Sequence, residues 1–97
     1  MSWISLGEVC CVAARVVGHG QAEEVVRDLR PRLRLELPTE ARVLEAARIK
    51  AVFPLAYADV FAAATALAHD ATLLTGDPEL VRADAPWSHE DLRAADG

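Results

Sequence analysis

The chain of 97 residues is long enough for one domain, 1–97, in which about two-thirds of the unfolded surface can be buried. Its hydrophobic fraction of 53% predicts a real core, and no apolar run reaches the about 18 residues that a bilayer span needs. A net charge of −5 argues against broad, sequence-independent binding to nucleic acid. The N-terminus shows no basic region, apolar core and cleavage site in succession, so the expectation is a soluble, cytoplasmic protein with no membrane partner.

Trp3 and Ile4 read as the end of a short strand, followed by a helix over residues 6–17 that stops at Gly18-His19-Gly20. The adjacent Cys10 and Cys11 fall inside that helix, match no zinc or redox spacing, and read as small buried hydrophobes kept reduced. A second helix is expected over 21–29, ending before Pro31. Leu33, Leu35 and Leu37 alternate with Arg34 and Glu36, the period-two pattern of a strand with one polar face. Thr39 is placed to cap a third helix, 40–51, and Pro54 separates it from a fourth, 56–69. The fourth is apolar nearly all round and should be buried on most sides. A strand over 71–74 follows, then a short helix after Pro78, and a weak strand or loop near Trp87.

Strands alternating with helices point to an α/β fold with a parallel sheet and helices on its faces. Three strands are too few to cover the helices at 6–17 and 56–69. Something that should bury those helices is missing from the pattern.

Charge is unevenly placed. Arg27, Arg30, Arg32 and Arg34 crowd one stretch, while Asp84, Glu90, Asp91 and Asp96 gather near the C-terminus. The arginines read either as a solvated helix end and polar loop or as a local patch for a phosphate backbone. Arg42 and Arg48 are further candidates for phosphate contacts.

The acids also carry two readings. Ser5-Leu6-Gly7-Glu8 fits a capping box, Asp59 favours the dipole of a first helical turn, and Asp77 before Pro78 fits an N-cap. Taken together they say more. Glu8 and Asp77 would each open a helix directly after a strand, and in a parallel sheet those openings share an edge. Asp59 joins them if its helix packs beside that edge, and Glu79 lies two positions beyond Asp77. Like charges so close disfavour full ionisation, which a hard cation such as Mg²⁺ or Mn²⁺ relieves. Near a phosphodiester such an ion supplies an acidified water and charge stabilisation. No Ser-His-Asp triad or glycine-rich phosphate loop competes with this reading, and His19, His69 and His89 lack ligand spacing.

The segments ISLGEVCCVAARVVG (4–18), PLAYADVFAAATAL (54–67) and LLTGDPEL (73–80) resemble PIN domains, most closely the VapC-type toxins of toxin–antitoxin pairs. The resemblance extends from about residue 3 to 80. It implies a metal-dependent endoribonuclease in which Glu8, Asp59 and Asp77 are catalytic carboxylates. With Glu79 as a fourth ligand, they would bind Mg²⁺ or Mn²⁺. It also implies an RNA substrate and a cognate antitoxin protein as partner. PIN domains are similar to one another in opening with a central buried strand that ends in aspartate. Nothing matching that strand precedes Met1, so the expectation is a PIN-like parallel sheet lacking its first, central strand, with impaired activity. Exposed edges left by that loss would favour a homodimer or higher oligomer. The alternative function is a non-catalytic interaction module that binds an antitoxin or a second copy of itself.

Overall fold

Ser2, rather than Ser5, starts the first helix. In the computed structural model, which describes residues 1–93, the Ser2 hydroxyl accepts from the Ile4 amide at 3.2 Å and caps α1, Trp3–Val17. Trp3 and Ile4 are therefore helical, not the end of a strand, and the capping box at Ser5–Glu8 is not formed. The reason is pairing just upstream. Glu36 donates its amide to the Met1 carbonyl at 3.0 Å and its carbonyl accepts from the Trp3 amide at 3.0 Å. This single parallel bridge, Ser2 to Glu36, is all that remains of the strand expected over 33–37. It fixes Ser2 as the last extended residue, and the helix begins at once.

The chain divides into two compact units, Met1–Thr39 and the remainder from Glu40 on. In the first, α1 turns at Gly18 into α2, His19–Leu29. Gly18 has φ +86°, a left-handed value that glycine adopts without strain, which explains the break between two helices with no loop. A single 3-10 turn, Arg30–Arg32, carries the chain away from α2 with Pro31 inside it. Leu6 and Ala22 are buried between α1 and α2, whereas Cys10 is only half-buried and Cys11 exposed, so neither is the buried hydrophobe expected.

The second unit holds the larger core. Helices α3, Glu40–Val52, and α4, Tyr57–Ala68, pack against each other. Val60, Phe61, Ala63, Ala64, Thr65 and Ala66 of α4 are all buried, as its apolar circumference predicts. The Thr65 hydroxyl is satisfied by the Phe61 carbonyl at 2.7 Å, so burying it costs little. Asp70 ends α4 at φ +49°, and the Ala71 amide reaches back to the Ala66 carbonyl at 2.9 Å. That reversal feeds β1, Leu73–Thr75, which pairs in parallel with β2, His89–Asp91. The register sets Thr75 opposite Asp91.

The fold class is thus α/β, with four α-helices and a small parallel sheet among the described residues. The sheet is smaller than expected, with two strands among the described residues. The segment after Pro78 is a turn and not a helix, because the Leu80 carbonyl is taken by the Trp87 indole at 2.9 Å. Of the acidic C-terminal group, Asp96 lies outside the described residues. Among the described residues no single helix is long and apolar enough to cross a membrane.

Trp87 holds the β1–β2 connection onto the core. It is 2% exposed, meets Phe53 edge-on at 5.2 Å, and donates to Leu80. Trp87→Ala removes the ring and orphans the Leu80 carbonyl, so it should cost about 3–5 kcal/mol in denaturant unfolding. A loss below about 1 kcal/mol would show that the connection is held by something else.

Candidate metal centre

The first turn of α4 and the turn after β1 meet, and each carries acid. Asp59 is the third residue of α4, on the helix end where the dipole favours a negative charge. Asp77 and Glu79 follow β1 directly. Because α4 packs on β1, the two segments arrive at one place. One carboxylate oxygen from each of Asp59, Asp77 and Glu79 lies within 4.8 Å of the other two. Asp59 and Asp77 are half-buried and Glu79 is exposed, so the cluster opens to solvent on one side.

The Asp77 backbone is set by two local bonds. Its amide donates to the Thr75 hydroxyl at 3.0 Å, and its carboxylate accepts from the Glu79 amide at 2.9 Å. The second bond is an Asx turn, which leaves the other carboxylate oxygen for a further partner. The Leu80 amide closes the turn onto the Asp77 carbonyl at 3.1 Å. Thr75 is itself buried, so this anchor sits on the core side of the cluster.

Two arginines flank the acids, each engaged by its own aspartate. The Arg93 guanidinium bonds the Asp91 carboxylate at 3.0 and 2.9 Å, and the Arg93 amide caps the same group at 2.9 Å. That hydrogen bonding raises the Arg93 pKa, and the nearby charge of Asp77 adds to it. Arg93 lies across Gly76, where a Cβ would stand 3.9 Å from its Cγ. On the other side, Arg82 bonds Asp84 at 2.9 and 3.2 Å. The pair raises the Arg82 pKa and lowers that of Asp84, chiefly through this bond, with the charge of Glu79 acting on Arg82 as well.

The donor set fits a hard divalent cation. At metal–oxygen distances of about 2.1 Å, ligands of one octahedral ion lie no more than about 4.2 Å apart. The observed separations need only a small side-chain adjustment to reach that. Carboxylate oxygens without nitrogen or sulfur match Mg²⁺ or Mn²⁺ better than zinc.

Of the four carboxylates read from the sequence, the second unit brings together Asp59, Asp77 and Glu79. Glu8 lies in the first unit, exposed, as the sixth residue of α1. It does not open a helix after a strand, because α1 begins at Trp3. Nor does Asp77 open a helix, since a turn follows it; its position after a sheet strand is as expected. The sequence reading passed over Thr75 and Arg93. The T-x-D spacing is a recurrent side-chain-to-backbone turn signal and would have found the first. Nothing local marks Arg93, which reaches Gly76 only through the pairing of β1 with β2.

Thr75→Val keeps the shape but removes the acceptor for the Asp77 amide. It should lower stability by about 0.5–1.5 kcal/mol and weaken Mn²⁺ binding several-fold, both read by calorimetry. Unchanged Mn²⁺ binding would show that Asp77 does not depend on this anchor.

The PIN domain family matches residues 1–86, which takes in the first compact unit, the second as far as residue 86, and all four carboxylates. No curated protein and no solved structure matches the chain significantly. With that match over most of its length and an acidic cluster at a sheet end, the chain belongs to the PIN domain family, whose members are generally nucleases that bind divalent metal ions.

Proposed function

We propose that the chain is a metal-dependent endoribonuclease of the PIN toxin type, with Asp59, Asp77 and Glu79 holding Mg²⁺ or Mn²⁺. The observation that carries this reading is the approach of those three carboxylates to within 4.8 Å in a PIN family member. The chemistry such an ion supplies when bound is acidification of a water and neutralisation of charge on a transferring phosphoryl group. The protein's own part is to present the oxygens. The Glu79 amide fixes one oxygen of Asp77, and the first turn of α4 fixes the position of Asp59. Arg93 beside Asp77 and Arg82 beside Glu79 are cations at the rim, suited to an approaching phosphate. Glu8 is proposed as a further acid of the site on the family resemblance alone.

Calorimetry with Mn²⁺ and a cleavage assay on single-stranded RNA test this together. Binding should be weak but measurable and should fall at least about tenfold in Asp77→Asn and in Asp59→Asn. Cleavage should be slow, depend on Mn²⁺ or Mg²⁺, and vanish in both variants. Wild-type chain that binds no Mn²⁺ would overturn the metal reading, and Asp77→Asn cleaving at the wild-type rate would overturn the assignment.

A second reading has an observation of its own. Val9, Val12 and Val16 form a stripe along α1 and are 39%, 54% and 80% exposed. An apolar stripe at that spacing suits a partner helix or strand. We propose that it meets an antitoxin protein or a second copy of the chain, and that the protein works in the cytoplasm as a homodimer or higher oligomer. Light scattering at micromolar concentration should give at least twice the chain mass. A stable monomer whose mass does not change with concentration would contradict self-association.

A further inference from the structure

The first unit carries an open concavity of about 530 Å³, lined by Trp3, Arg27, Arg30, Pro31, Leu33 and Leu35. None of these lining side chains is acidic, although the chain as a whole carries a charge of −5. Its composition follows from local structure. Arg27 stands in the last turn of α2, and the 3-10 turn at Arg30–Arg32 swings Arg30 back toward α1. There the Arg30 guanidinium lies over the Trp3 ring, 5.1 Å from its centroid. The partner it takes is an indole rather than a carboxylate. Leu33 and Leu35, half-buried, form the apolar side of the same hollow.

We propose that this concavity is a nucleotide subsite for single-stranded RNA. Arg27 meets a phosphate, and the Arg30 guanidinium, backed by Trp3, offers a flat cationic face on which a base stacks. Arginine planes and aromatic rings are the surfaces on which unpaired bases stack, and the stacking tolerates any base. A cationic, partly apolar hollow on an otherwise acidic chain selects an anion that also carries a flat apolar face. A nucleotide has both, and a duplex hides its bases, so the subsite should prefer single strands. The proposal rests on the ribonuclease reading for its choice of substrate, but the site is built from residues outside the acidic cluster.

Binding is measured in EDTA, so that it is independent of the metal centre, using tryptophan fluorescence and a short oligouridylate as the probe. The expected result is saturable quenching that an RNA duplex of equal length does not match. Trp3→Phe should abolish the quenching while retaining most of the affinity by filter binding. The double variant Arg27→Ala/Arg30→Ala should bind about tenfold or more weakly. Its log–log salt dependence should be shallower by about 0.7, the value for the one phosphate contact that Arg27 makes on a single strand. Circular dichroism on each variant establishes that α1 and α2 are intact. If a double variant with wild-type helicity binds RNA with unchanged affinity and salt slope, the proposal fails. It also fails if an acidic peptide quenches Trp3 and the oligouridylate does not, which assigns the hollow to a protein partner. The two readings separate cleanly. Quenching in EDTA without any Mn²⁺-dependent cleavage upholds the subsite and removes the nuclease, and cleavage by a chain that shows no quenching does the reverse.

Discussion

Three carboxylates with oxygens within 4.8 Å of one another set like charges side by side, which Coulomb repulsion alone would drive apart. The arrangement persists only because the segments carrying the acids are fixed for other reasons. Helix α4 is buried along most of its length and cannot rotate Asp59 away without exposing Val60, Phe61 and the alanines. Asp77 is tied to Thr75 behind it and Glu79 ahead of it. The packing energy of α4 and the connection held by Trp87 are thus what hold the acids together. A bound cation would find its oxygen ligands already gathered, which is the physical sense in which the site is prepared for metal.

The arginines around the cluster complete this electrostatic picture. Arg93 and Arg82 are each neutralised first by an adjacent aspartate, Asp91 or Asp84, so they do not collapse onto the metal-site acids. Each still feels a cluster carboxylate, and each is partly exposed at the rim. Exposed ion pairs of this kind add little to stability, so their placement matters more for what approaches than for the fold.

Much of this was legible in the sequence, and the failures have local causes. The α4 helix, the β1 strand and the acids at 59, 77 and 79 follow from apolar periodicity and turn chemistry confined to a few residues. The sequence misleads where one signal competes with another. Both Ser2 and Ser5 can cap a helix, and the glutamate at position 8 favours Ser5 on pattern alone. Ser2 wins because Glu36, far along the chain, pairs with Met1 and Trp3 on either side of it. The Leu33-Leu35-Leu37 alternation is real, yet a strand needs a partner of matching length, and only Ser2 is extended enough to pair. The helix expected after Pro78 is lost to an indole that claims the Leu80 carbonyl from seven residues away. Every one of these errors comes from a contact between distant residues, which no local pattern encodes. Membership of the PIN domain family, by contrast, was carried by whole segments and survived them all.

The account turns on whether Asp59, Asp77 and Glu79 share one cation. The most direct measurement is crystallographic, on crystals soaked in Mn²⁺ and recorded at the manganese absorption edge. The account predicts a single anomalous peak about 2.2 Å from an oxygen of each of the three side chains, with water filling the remaining positions. A peak elsewhere on the chain, or no peak with the three carboxylates splayed apart, would contradict it.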